Sequence, residues 1–417
     1  MGAVSWTSGR SGRLPLEGLR VLDFSHAAAG PFATMFLADL GADVVKIEKP
    51  GRGDGSRYMG EPMLGPAESD YYLSLNRNKR SVLIDLSAED GRQLATDLAR
   101  ASDIVVQNFR PGVLDRHHIG YDDLRKDRPG LVYCSISAFG SSGPWRDRPA
   151  NDIIMQSVAG LMGITGEVGG GPVRIGAPIS DYATGLFALV GILAALHCRD
   201  EHPEGQHVEV AMLDASIAMM ANYIPSVATM GRTIPRLGRG HAQIVPYQAF
   251  LCADEQYVMV GAFTNGFWRR LCDAVDHPEW KDDPRFTSNA DRLAHRDVLL
   301  PMLEEIFRHR SREEWITVLT EADVPNSPVL ELQDAIVSEQ AVHNGIVQRL
   351  EGAELDVIKL PVGSDQWNLT DATLPPVMGE HTDEVLQGVL GLDDDRIDEL
   401  VATGVVGRRD VKVEAAG

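Results

Sequence analysis

Apolar positions along the chain alternate between a strand-like and a helix-like period, and the switches mark out elements. "RVLDF" (20–24) is a short continuous apolar run, the mark of a strand buried on both faces. "SHAAAGP" then reads as a loop, and "PFATMFLADLG" as a short helix with Pro31 near its first turn and Gly41 at its end. "ADVVKIE" is the next strand, so residues 20–48 predict a βαβ unit, which requires a parallel sheet. "SVLIDL" is a further strand, and Ser87 is placed to cap the helix "AEDGRQLATDLARA", which has acids in its first turn. "DIVVQNF" and "GLVYCSI" continue the series. The alternation to about residue 140 predicts a Rossmann-like, doubly wound α/β half.

Further along, Asp181 stands alone at the mouth of an apolar run from Tyr182 to Cys198. The run predicts a helix with Asp181 as its cap. "GQHVEVAML" reads as a strand and "DASIAMMANYI" as a helix, until the Gly/Arg/Pro-rich "MGRTIPRLGRGH" breaks the pattern. "YQAFLCADEQYVMVGAF" predicts a hairpin turning at Asp254-Glu255-Gln256. Helices follow, including "SREEWITVL", where Ser311 and Glu314 have capping-box spacing, and "GEHTDEVLQGVLG" predicts a Thr382-capped helix. The expected organisation is a leader (1–13), the first part of a large Rossmann-like domain (14–215), a linker (216–243) and a small α+β domain (244–330). A linker and C-terminal return to the large domain (331–417) would complete it.

Composition narrows the function. A chain of 417 residues is too long for one core. Its 39 Lys and Arg against 60 Asp and Glu give a net charge of −21, a field that disfavours nucleic acid and anionic membrane as partners. An anionic substrate would need a local basic pocket. Cys134, Cys198, Cys252 and Cys272 show no CxxC spacing and read as free thiols of a reducing compartment. The start "MGAVSWTSGRSG" has no apolar signal core, so a cytoplasmic location is expected. The Tyr182–Cys198 run falls just short of a membrane span and contains Thr184, Gly185 and Gly191, so it reads as a core helix.

"SHAAAGP" lacks the GxGxxG fingerprint, which argues against a dinucleotide even though Glu48 stands where a ribose-binding acid would. The loop still precedes a helix N-terminus, a usable anion site. His197, His202 and His207, five residues apart, share no helical face, and no metal is expected. There is no P-loop and no GxSxG elbow. Lys49, Lys79, Arg80, Arg110 and Arg116 read as cations near strand ends, where doubly wound sheets bind ligands. For Asp181 two roles stay open, helix cap or reactive carboxylate.

Six segments, in order, carry a resemblance: "PLEGLRVLDFSHAAAGPFATMFLADLGADVVKIEKPGRGD", "LNRNKRSVLIDL", "VVQNFRPGVLDR", "GAPISDYATG", "GHAQIVPYQAF" and "GEHTDEVL". From Leu14 to about Gly391 the chain resembles the class III CoA-transferases, the superfamily of formyl-CoA transferase, carnitine CoA-transferase and α-methylacyl-CoA racemase. The resemblance implies a Rossmann-like large domain, a smaller α+β domain and a homodimer of interlocked ring-like subunits. It implies transfer of CoA from an acyl-CoA to a small carboxylic acid, with coenzyme A as co-substrate and no other cofactor. Asp181 would be the catalytic carboxylate. CoA contacts would fall on His26, Ala28 and Ala29 of the first loop, Lys49, Ile84, Leu86 and Ser87, Asn108, Phe109, Arg110, and Arg116. Gly238, Arg239, Gly240 and His241 would form a flap, with Arg57 and Arg239 as carboxylate partners.

The chain departs from relatives in this resemblance at four points, one of them the flap, where "GRGH" (238–241) replaces the run of glycines of the formyl-CoA transferase pattern. Ser87 stands where the formyl-CoA transferase pattern has lysine, and Ala28 where it has a glutamine. Asn151 in "NDIIM" stands where the racemase motif has histidine, which removes an acid/base partner for α-proton exchange. Racemase and non-enzymatic CoA binding are the alternatives. With a reference pKa of about 3.9, Asp181 is expected to be ionised at neutral pH and to need no base.

Overall fold

The computed structural model describes residues 14–409; the leader expected over 1–13 lies outside them. The chain divides into two compact units. The first takes in residues through Ala159, then Gly176–Ala221 and Glu339 onward; the second comprises Gly160–Ile175 and Asn222–Ser338.

The first unit is built on a seven-stranded mixed sheet. Its strands are β1 (Arg20–Asp23), β2 (Asp43–Glu48), β3 (Lys79–Ile84), β4 (Ile104–Gln107), β5 (Val132–Ser137) and β6 (Gln206–Ala211), with the short strand Val406–Gly407 at one edge. Spatial order runs Val406–Gly407, β3, β2, β1, β4, β5, β6, and only the edge strand is antiparallel. In register, Val21 faces Val44 on one side and Ile104 on the other. Strand order reverses between β1 and β4, which makes the space beyond their carboxyl ends the switch-point crevice.

Val21 and Leu22 point to opposite faces, and both are wholly buried. One face packs Val21, Val44, Ile104 and Val106 against α1 (Ala29–Asp39) and α5 (Ile179–His197). The other packs Leu22, Val45 and Val82 against Leu94 and Leu98 of α3 (Glu89–Arg100) and against the helices Thr382–Leu390 and Asp394–Ala402. Burial on both faces is why these strands read as continuous apolar runs. Helices α4 (Asp152–Val158) and α6 (Met212–Ala218) also pack against α5, and Tyr71 of α2 (Asp70–Leu73) packs against the apolar cluster of the same face. A Cβ on Gly185 would lie 2.6 Å from the Ala29 carbonyl oxygen and 3.1 Å from the Phe32 ring. Glycine there lets α5 seat on the first turn of α1, and Tyr182 stacks on Phe32 at 4.5 Å. The start of α5 is thereby brought to the first loop.

Several local expectations are corrected. Helix α5 begins two residues before Asp181; Pro178 occupies its cap position without a side-chain bond, so Asp181 is an interior first-turn residue. Ser87 does not cap α3, whose cap position is Ala88; its N–H and hydroxyl both go to Asp85. Thr382 lies inside its helix and accepts the Leu83 N–H at 3.2 Å. Lys79 and Arg80 open β3 and do not close it. Lys79 is buried on Asp23, Asn76 and the Pro31 carbonyl, while Arg80 pairs with Asp43 and Glu384. The helix read from "DASIAMMANYI" is limited to α6.

The second unit carries an antiparallel sheet of β7 (Tyr247–Leu251), β8 (Tyr257–Gly261) and β9 (Asn326–Pro328), in the order β9, β8, β7. The β7–β8 hairpin turns where expected, and the Ser311/Glu314 capping box is formed in both directions. Trp268, Trp280, Phe286, Phe307 and Trp315 fill its core.

Candidate active site

Beyond the carboxyl ends of β1, β2, β3 and β4 lies a cavity of 340 Å³. It brings together six residues expected from sequence: His26, Lys49, Ile84, Leu86, Ser87 and Phe109. Asp85, within the expected Ile84–Ser87 strand end, lines it too, as do Phe24 and His117, which were not anticipated. Ala28 and Ala29 do not line it; they are buried at the start of α1. Arg110 and Arg116 are exposed and outside the lining, whereas Lys49 is an exposed cation within it.

The first loop is held from below by a buried ionic network. Lys46 donates to the Ser25 carbonyl at 2.6 Å and pairs with Asp54 at 2.8 Å. Asp54 accepts the N–H of Ala27, whose φ of +61° puts a non-glycine residue in the left-handed region. Asn108 clamps His26 from the side, accepting its N–H and donating to its carbonyl, both at 2.8 Å. Its amide thus orients the loop. Asp23 accepts from Ser25 and Thr34 and pairs with Lys79. Burial opposes ionisation of Asp54, but Lys46 outweighs it and holds this carboxyl below the usual range. Burial in turn lowers Lys79 to about 8. Burial, reinforced by Lys46, also keeps the His26 imidazole below its ordinary value.

Arg57 is not open to a substrate carboxylate. It is wholly buried, with Nε and Nη2 each 2.7 Å from Glu48 and Nη2 2.6 Å from the Tyr72 hydroxyl. The same pair removes Glu48 from any ribose-binding role.

Among the described residues, no cation gives Asp181 such compensation. Burial, helped by the charge of Asp152, pushes its carboxyl up to about 7. A helix N-terminus favours the anion by only about 0.3–1 kcal/mol, so burial and Asp152 prevail. Full ionisation at neutral pH, expected from the reference value, is therefore corrected. Burial and the Asp181 charge push the Tyr71 phenol up to about 12 and raise Tyr182 as well, so both keep their protons and remain available as donors. Asp152 accepts the Ser180 N–H at 2.9 Å and the Asp181 N–H at 3.4 Å, and its second oxygen accepts from Gln156 at 2.7 Å. Asn151 caps α4 by accepting the Ile154 N–H. Asp152 was missed in the sequence because it acts on a helix 27 residues away, through no local pattern.

In the second unit, Gly238 donates to the Gly166 carbonyl at 2.8 Å and Gly240 to Leu237. The Arg239 guanidinium lies 4.9 Å over Tyr257, and His241 packs on Tyr247. Among the described residues, no group of three His, Cys, Asp or Glu could hold a metal.

The cavity lies at the switch point of a doubly wound sheet and offers room for a ligand there; Asp181, which no cation neutralises among the described residues, is not one of its lining residues. Residues 16–382 match CoA-transferase family III, and the chain belongs to that family. It falls in the transferase branch, and its general reaction is CoA transfer between an acyl-CoA and a carboxylic acid. It is 36% identical to human succinyl-CoA:glutarate CoA-transferase over 395 residues, 94% of this chain and 90% of that one. It is also 36% identical to acetyl-CoA:oxalate CoA-transferase of Acetobacter aceti, covering 80% of this chain and 86% of the relative. The crystal structure of a CAIB/BAIF family protein from Brucella suis superposes with a TM-score of 0.80 at 31% identity, covering 90% and 99% of the two chains.

Proposed function

We propose that the protein moves CoA from succinyl-CoA, or a closely related acyl-CoA, to a small dicarboxylate through a thioester formed on Asp181. The observation that carries this is the Asp181 carboxyl itself: partly buried, raised to about 7 and paired with no cation among the described residues. The ionised form attacks the donor thioester carbonyl, giving an aspartyl–acyl anhydride and CoA thiolate. The thiolate attacks the aspartyl carbonyl, which forms the aspartyl-CoA thioester and releases the donor acid. The acceptor carboxylate attacks that thioester, giving a second anhydride and thiolate. Attack of the thiolate on the acceptor carbonyl yields the new acyl-CoA and regenerates Asp181. No bond energy from ATP is needed, because one thioester replaces another. Protonated Tyr71 or Tyr182 can donate to the oxyanions of the tetrahedral states.

The named activities of the relatives support the substrate class, since succinyl-CoA and dicarboxylates recur among them. The test is a transfer assay over acyl-CoA donors and carboxylic acids read by mass spectrometry. Succinyl-CoA with glutarate is expected to be among the productive pairs. Productive turnover confined to monocarboxylates would overturn the substrate class.

A homodimer is part of the same proposal. Helix α5 is less than half buried and exposes Leu186, Phe187 and Val190, a face that a second copy would cover. Light scattering at micromolar concentration should give about twice the 45.4 kDa chain mass; an active monomer would contradict it.

A further inference from the structure

Helix α5 has an unusual start. Pro178 at its cap position offers no side chain to the free amides of the first turn, and the helix has no capping bond of its own. The acceptor comes from α4 instead. Asp152 takes the Ser180 and Asp181 amides on one oxygen and is fixed by Gln156, itself wholly buried, on the other. Left free, those amides would be donors to the Asp181 carboxylate and would weaken it as a nucleophile. With Asp152 in place they are occupied, and a second negative charge faces the reactive group.

We propose that Asp152 is the positioning residue of the transfer reaction, withholding the α5 amides from Asp181 and setting a like charge beside it so that its carboxylate attacks thioesters more readily. The inference rests on Asp181 being the nucleophile. Burial acts in the same direction, and Asp152 is the single charged neighbour that adds to it. Of the other ionisable groups on elements packed against α5, Asp39 lies at the far end of α1, and Asp214 lies on α6. Tyr133 and Cys134 lie on β5, with His207 and Glu209 on β6. None of these perturbs Asp181. Tyr71 of α2 and Tyr182 of α5 face it as neutral phenols.

The experiment titrates Asp181 without relying on turnover. Intact protein is treated with a water-soluble carbodiimide and glycine ethyl ester across pH 4–9, and labelling of the peptide holding residue 181 is quantified by mass spectrometry. Wild-type protein should show a midpoint near pH 7. Asp152→Asn should lower that midpoint by roughly one unit and, at pH 9 where both proteins carry the ionised carboxylate, slow adduct formation from succinyl-CoA by roughly threefold. Asp152→Glu, which keeps the charge, should return the midpoint toward the wild-type value. A wild-type midpoint near 4 overturns the proposal even if no variant folds, and so does an unchanged midpoint in Asp152→Asn. If labelling shifts as expected but succinyl-CoA never forms an adduct at Asp181, the nucleophile assignment fails and the effect of Asp152 on that carboxyl stands.

Discussion

Two groups of carboxylates in the first unit have opposite fates. Beneath the first loop, Asp23, Glu48 and Asp54 are buried against Lys79, Arg57 and Lys46, and the cations outweigh burial and hold all three acids below their ordinary range. At the start of α5, Asp181 faces another carboxylate and, among the described residues, no cation, and burial with Asp152 pushes it up to about 7. The first arrangement fixes geometry: it locks Ala27 and His26 where the cavity needs them. The second keeps a group poised between its protonated and ionised forms, which suits a nucleophile and weakens the folded state. A neutralised acid is part of the scaffold, and an uncompensated one is a candidate for chemistry.

The contrast breaks most sharply under Asp181→Asn. The amide cannot attack a thioester, so transfer should fall by at least about a thousandfold, some 4 kcal/mol of barrier. Circular dichroism should remain that of the wild type, since Asp181 caps nothing. Residual turnover within tenfold of wild type would place the chemistry elsewhere.

Next in size is the scaffold. Arg57→Met leaves Glu48 buried without its cation and should cost about 3–5 kcal/mol in urea denaturation. A loss below about 1 kcal/mol would mean that the network does not hold the fold.

The smallest effect is the sign of the pH dependence. Asp181 binds its proton more tightly folded than unfolded, so its contribution to stability is greatest below pH about 4 and is lost as pH rises toward 7. For Asp54 the order is reversed: its contribution is present above pH about 4 and is lost as pH falls below that value. Asp181→Asn should therefore be more stable than wild type at pH 8, by about 1 kcal/mol once solvent screening is allowed for. The gap should close near pH 4. A variant that is less stable at pH 8 would contradict the uncompensated charge.

Much of this was legible along the chain where the signal is local and apolar. The β1–α1–β2 unit, β3 to β5 and the β7–β8 hairpin follow from runs of buried residues and turn chemistry. What failed were assignments of single polar residues. Asp181, Ser87 and Thr382 each read as caps, because a polar residue before an apolar run has that signature. Their actual partners depend on tertiary packing: Asp152 supplies the cap of α5 from another helix, and Thr382 serves the Leu83 amide on β3. Arg57 reads as a substrate-carboxylate partner by resemblance and Lys79 as a ligand-facing cation near a strand end, because the buried acids that hold them, Glu48 and Asp23, lie on β2 and β1. The role of Asn108 was likewise hidden, since its clamp on His26 joins positions 82 residues apart.

The most direct test of the central claim is to trap the intermediate. Wild-type protein incubated with succinyl-CoA in the absence of acceptor, then treated with hydroxylamine and digested, should yield a hydroxamate on residue 181 and no other carboxyl; a hydroxamate on a different residue, or none under conditions where transfer proceeds, would contradict it.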